Sequence, residues 1–313
     1  LYWGIRDKRT IEQYKHNLEG VRQAVPEMLQ MFSANDIHAT WATVGCIFFN
    51  DADDLIKNIP ELLPTYHREE LSPYKYIEDT SELEAVYHFA PELIEHIQKY
   101  KGQEIGTHTF SHYYCLEEGQ SLAQFEEDIS SAIEISKRRG VTIKSLVFPR
   151  NQWNAEYLST LNKLGVLCYR GNESSWIYNA SDDEGQNKLQ RAVRLIDAYL
   201  NLSGHNTYDL KSCIQKQPFN FPSSRFLRPY SNRLAFLEGL RLRRIKNAME
   251  DAAKNNRIFH LWWHPHNFGI NTQQNIDFLA KIVEHYNLLK KKYGMGSLNM
   301  GELCLLPEGV NGE

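Results

Sequence analysis

His108 and His112 stand four residues apart in EIGTHTFSHYY, residues 104–114, where a short β-like run ends at Gly106. Neutral imidazole is a good ligand for Zn²⁺, and a turn can bring two such rings to one side of one ion. Three protein ligands and a water then make the catalytic pattern. Histidines at this spacing also occur for purely structural reasons. What singles out this pair is its place at a strand end, with Gly106 permitting close backbone approach and hydroxyls at Thr107 and Ser111. HLWWHPHNFG, residues 260–269, adds His260, His264 and His266. His264 ends a strand-like run just before Pro265, where a histidine beside a metal could protonate a leaving amine. His260 reads as a ring packed beneath the tryptophans. Arg150, Asn151 and Gln152 follow another strand-like run, and Arg170 and Asn172 close a further one.

Those runs alternate with helical patterns. Pro26 opens a helix carrying Met28, Leu29 and Phe32, which Asn35 closes. ATWATVG, residues 39–45, reads as a strand. Pro91 opens a helix with Leu93, Ile94, Ile97 and Tyr100 on one face, and the strand into Gly106 follows. Ser121 and Gln124 form a capping box ahead of Phe125, Ile129, Ala132 and Ile133. Strands are expected at 143–148, 166–171 and 258–263, with a short last one at 297–300. Helices are expected from Asn154 onward and over 189–200, 237–253 and 272–291. Strand–helix alternation implies parallel strands with right-handed crossovers. In such folds the strand C-terminal ends share one rim, so the polar residues following separate strands should converge there. No GxGxxG is present. The expectation is a single α/β domain over residues 1–313, a distorted (β/α) barrel of seven strands. Residues 50–90 and 172–231 are read as insertions lining a cleft.

Composition narrows the classes. The 313 residues are 42% hydrophobic with a formal charge of −4, enough for a large core. No basic block tracks phosphates, which argues against nucleic acid as a partner. Lys290, Lys291 and Lys292 end a helical pattern, where cations suit the macrodipole. The five cysteines are scattered without a CxxC pair. With no visible signal peptide and no 18-residue apolar run, they favour a reducing, cytoplasmic setting and no transmembrane segment. The chain opens at Leu1 without a methionine and is read as a trimmed N-terminus.

Taken in order, these motifs resemble the polysaccharide deacetylase family, the NodB-like carbohydrate esterases. HTFSH matches that family's histidine motif position by position. FPRNQ, residues 148–152, lies where its Arg–Pro loop belongs. LWWH, residues 261–264, matches its late Leu-x-His strand, and IHATWATVG, residues 37–45, looks like its second strand. Two departures stand out. Pro149 precedes Arg150 instead of following it, with Arg228 in FLRPYS as a reserve. The aspartate motif is missing: LYWGIRD resembles what directly follows that motif in a divergent subgroup. The base and the carboxylate ligand are therefore expected upstream of Leu1, with Asp7 as the acid that could be recruited instead.

The resemblance implies metal-dependent removal of N-acetyl groups from a carbohydrate, with a glycan as partner and bacterial surface polysaccharide as one setting. It implies Zn²⁺ or another divalent ion on His108 and His112, His264 as the acid, and Arg150 ordering the carboxylates. Backbone N–H groups near Asn151 would hold the oxyanion. Asn151, Trp153 and Trp262 are the expected substrate contacts, with Trp3 and Trp263 as further flat faces for sugar rings. The alternative is a non-catalytic carbohydrate-binding relative of the same fold. A glycosidase would need a carboxylate pair in the cleft, and no strand-end Asp or Glu stands out for it.

Overall fold

The computed structural model describes residues 1–180 and 188–306. Residues 181–187 of the second expected insertion lie outside that set. The strands are β1 (Ala39–Thr43), β2 (Gln103–Thr107), β3 (Ser145–Val147), β4 (Cys168–Arg170), β5 (Phe219–Asn220), β6 (Arg225–Phe226) and β7 (Leu261–Trp262). β1 to β5 form one sheet in sequence order, β6 and β7 a second, and every pairing is parallel. This is the expected α/β class.

The two sheets are joined by one extended stretch. Phe219, Phe221 and Ser223 donate backbone bonds to Leu167, Tyr169 and Gly171, along β4. Ser224 and Leu227 then donate to His260 and Trp262, along β7. The segment 172–231, read as an insertion, thus contributes both β5 and β6. Its strands escape the sequence because each is only two residues long, too short for any periodicity. Among the described residues no ladder joins β7 back to β1. The helix Ile11–Ala34 packs there instead: Asn17 donates to the His266 carbonyl (3.1 Å) and Tyr14 Oη to Asn267 Oδ1 (2.8 Å).

That helix starts fifteen residues before the expected Pro26. Thr10 and Gln13 form its capping box, and Pro26 lies inside it. A proline costs an interior helix one hydrogen bond, but Leu18, Val21, Val25, Met28, Leu29 and Phe32 are all buried along this face, and that burial outweighs the loss. The capping box at Ser121 and Gln124 forms as expected at the head of the helix Leu122–Arg138. The expected strand at 297–300 does not form. Asn299 caps a short helix, Met300–Leu303, in a capping box with Glu302. Gly301 N–H there donates to Glu104 at the opposite rim from the histidines (2.9 Å).

Candidate functional site

The C-terminal ends of β2, β3, β4 and β7 meet around a cleft of about 260 Å³, which His108, Arg150, Asn151, Trp262 and His264 line. With Arg170 at the end of β4, six of the residues singled out from sequence are therefore gathered by four separate strand ends. His112 lies behind His108, with ring centroids 4.8 Å apart at 74°. Trp153 is not on the lining; it leans on Tyr169 (6.2 Å) at the margin of the core. Trp3 is fully buried, its indole donating to the His88 carbonyl, and Trp263 packs on Phe268 and Phe32. His260 is held at the Phe221 carbonyl (3.1 Å), a packed ring as expected. Arg228 offers its carbonyl to Arg241, outside the cleft lining.

The histidine loop is built on hydrogen bonds. A Cβ at Gly106 would stand 2.4 Å from Ser145 Oγ, so only glycine lets β2 and β3 approach this closely. Thr109 and His112 both take left-handed backbone angles, φ 65° and 64°. Non-glycine residues hold such angles at a cost of about 1–3 kcal/mol each, so something must over-determine the turn. Asp128, on the helix Leu122–Arg138, supplies that. Its carboxylate accepts from Phe110 N–H (2.7 Å), Ser111 N–H (3.2 Å) and the Ser111 hydroxyl. Burial pushes its pKa up to about 6 against those bonds. The sequence reading missed Asp128. An acid three residues after Phe125 and one before Ile129, on the apolar stripe, is the signal that marks it.

His108 Nδ1 sits 2.6 Å from the Val147 carbonyl, which leaves Nε2 toward the cleft. Burial lowers its pKa to about 3, and that of His112 well below the ordinary value. His112 Nδ1 is buried without a partner, and a Cβ at Gly4 would stand 2.8 Å from its Nε2. Two neutral imidazoles, one oriented by a carbonyl, suit a divalent ion as two of its ligands. Among the described residues no third histidine, cysteine or carboxylate completes a metal-binding group. The expected metal centre is thus present only as a pair.

The loop after β3 also turns left-handed, at Arg150 (φ 55°) and Asn151 (φ 57°). Arg150 pairs with Asp7, whose side chain is 1% exposed, and its guanidinium lies 4.3 Å from the Tyr114 ring. The residue considered for recruitment is therefore at the site, bound to the expected arginine. Asp7 Oδ1 has no partner. Gln152 ties this loop to the histidine loop through Glu117 (2.7 Å) and Leu116 N–H (3.3 Å). The backbone N–H groups of Asn151 and Gln152 are spent on Phe148 and Pro149 carbonyls (3.1 and 3.0 Å). They cannot serve as the expected oxyanion donors in this arrangement.

His264 stands among rings: Trp262 edge-on at 5.4 Å, Phe226 at 5.9 Å, and His266 stacked at 5.1 Å and 8°. Burial, then the nearby Arg170 charge, lowers its pKa to about 4, so it is neutral at pH 7. A neutral imidazole must first gain a proton before it can act as an acid.

The chain is thus a parallel α/β fold with paired histidines, an arginine and a late-strand histidine on one rim. Residues 19–169 match the model of the polysaccharide deacetylase family. No curated protein matches the chain. Among solved structures it is similar to a protein from Mycobacterium smegmatis described as a polysaccharide deacetylase, at 16% identity and TM-score 0.52 over 95% of this chain and 83% of that one. It is more distantly similar to a CE4 family pseudoenzyme from Bacillus anthracis, at 10% identity and TM-score 0.42, over 90% of this chain and 60% of that one. A family 4 acetyl xylan esterase from Clostridium thermocellum, in complex with a cobalt ion, shares 14% identity at TM-score 0.31, over 82% and 89%. Among the described residues no helix is long and apolar enough to cross a membrane.

Proposed function

We propose that the protein is a metal-dependent hydrolase that removes N-acetyl groups from a carbohydrate. The observation that carries this reading is the convergence of His108, Arg150, Asn151 and His264 on one cleft, with His112 behind His108. His108 and His112 would hold the divalent ion, Zn²⁺ by the preference of imidazole donors. A bound ion of this kind polarises an amide carbonyl and lowers the pKa of a water to about 7. Arg150 links the cleft to the buried Asp7 carboxylate, the acid this reading would recruit as base once the site opens to it. His264, once protonated, would hand its proton to the departing amine, and Trp262 and Asn151 would position the sugar. The setting in bacterial surface polysaccharide belongs to this proposal.

The test is paired: calorimetric titration of the protein with Zn²⁺, and acetate release from N-acetylated oligosaccharides. His108→Ala and His112→Ala should each abolish both. Full turnover and unchanged zinc binding in either variant would sink the assignment.

A second reading is a carbohydrate-binding relative without catalysis. The incomplete ligand set, the spent Asn151 amide and the unprotonated His264 favour it. Saturable glycan binding with no acetate release under zinc, cobalt or nickel would decide for it.

A further inference from the structure

Three of the five cysteines, Cys168, Cys213 and Cys304, fall in one small apolar cluster with Phe221 and Met300, apart from the main core. Cys168 opens β4 and is fully buried. Cys304 directly follows the helix Met300–Leu303 and is partly exposed. The two thiols converge on one acceptor: Cys168 Sγ lies 3.6 Å and Cys304 Sγ 3.3 Å from the Met300 carbonyl oxygen. Cys168 also hydrogen-bonds with the Cys304 thiol, and that bond, ahead of burial, pushes its pKa up. Both are free thiols in this structure.

The rest of the short helix is tied to the sheet by hydrogen bonds. Met300 N–H donates to Thr40 Oγ1 (2.8 Å), Gly301 N–H to Glu104 (2.9 Å), and Asn299 Nδ2 to the Gly102 carbonyl (3.2 Å). Those bonds reach β1 and β2, whereas the cysteine pair faces β4. A bond between the two sulfurs would close a long loop of chain, the case in which a cross-link removes most entropy from the unfolded state.

We infer that Cys168 and Cys304 form a disulfide site that staples the helix Met300–Leu303 to β4, closed by a low-molecular-weight disulfide and reopened by thiols. The inference is independent of the deacetylase reading. Cys304, which solvent reaches, attacks one sulfur of the small disulfide. That S–S bond breaks, a mixed disulfide forms on Cys304, and the departing thiolate takes up the proton that Cys304 gave up. Cys168 then attacks the Cys304 sulfur, and its proton goes to the second departing thiolate. Two protein thiols are oxidised, and one small disulfide is reduced to two thiols. A reducing compartment holds the pair open, and oxidation closes it.

The test incubates the full chain with oxidised glutathione, blocks the remaining thiols, and maps the unreduced digest by mass spectrometry. One intramolecular bond should appear, between Cys168 and Cys304, and dithiothreitol should reverse it. The oxidised chain should melt about 3 °C or more above the reduced one. Cys304→Ser, at a partly exposed position, should lose both the bond and the rise while melting like the reduced chain. Glutathione left on Cys304 without closure, a Cys168–Cys213 bond, or free thiols at both positions overturns the inference. So does a Cys168–Cys304 bond that leaves the melting midpoint unmoved, or a rise that survives in Cys304→Ser.

Discussion

The loop over residues 107–115 and the strand end over 258–268 each deliver histidines to the same cleft, by different means. The first is held by hydrogen bonds: a buried carboxylate from one helix, Asp128, fixes a turn whose Thr109 and His112 are in left-handed conformations. The second is held by rings: Phe226, Trp262, His264 and His266 stack or meet edge-on in succession. Hydrogen bonds fix direction and fail abruptly when a partner is lost. Ring contacts are individually weak and yield gradually. The histidine pair should therefore be the rigid half of the site and His264 the adaptable half.

The comparison breaks most sharply at Asp128. Asp128→Ala strands two buried amides and a hydroxyl, and should destabilise the protein by ~3–5 kcal/mol in urea unfolding; a loss under ~1 kcal/mol would show the turn to be self-supporting. Acid should then act on both regions through their buried imidazoles, with Asp128 opposing them. His260 and His264 titrate at about 4 in the folded protein against 6.5 ordinarily, as does His88 under the N-terminal segment. The unfolded chain takes up those protons first, so their stabilisation is complete above about pH 6.5 and is lost as pH falls towards 4. For the fully buried His88 this amounts to ~3 kcal/mol, and His108, titrating at about 3, acts in the same direction. Asp128, raised to about 6, acts oppositely over the same interval, since the folded protein takes its proton first. The net expectation is a falling thermal midpoint from pH 6.5 to 4, and a flat profile would refute these imidazole environments.

Two smaller effects sharpen the contrast. Gly4→Ala puts a methyl 2.8 Å from His112 Nε2. It should cost ~1–3 kcal/mol and weaken zinc binding, because the His112 ring has no slack; unchanged zinc affinity would count against a rigid pair. Phe226→Leu removes one ring from the other stack and should cost only ~1 kcal/mol. Its effect on glycan binding should be modest, and a complete loss would show that the aromatic stack is as exacting as the loop.

Much of this site was legible in order. HTFSH, FPRNQ and LWWH mark three strand ends, and parallel topology makes their convergence a necessity once alternation is recognised. The direction of Trp153 was not legible, because an aromatic beside a motif reads the same whether it turns to the cleft or, as here, to Tyr169. The amides near Asn151 failed because a left-handed turn consumes them, and nothing in the letters Arg-Asn announces that turn. β5 and β6 failed because backbone pairing to two different strands needs no side-chain pattern.

By itself the sequence determined the α/β alternation, the helix caps at Ser121 and Asn35, and the histidines placed at strand ends, because these depend on local periodicity and residue type. Tertiary structure alone decided that Asp7 meets Arg150, that Asp128 braces the histidine turn, and that Cys168 and Cys304 meet at one carbonyl. Those contacts join residues up to 143 positions apart, and no local propensity encodes a partner at that distance.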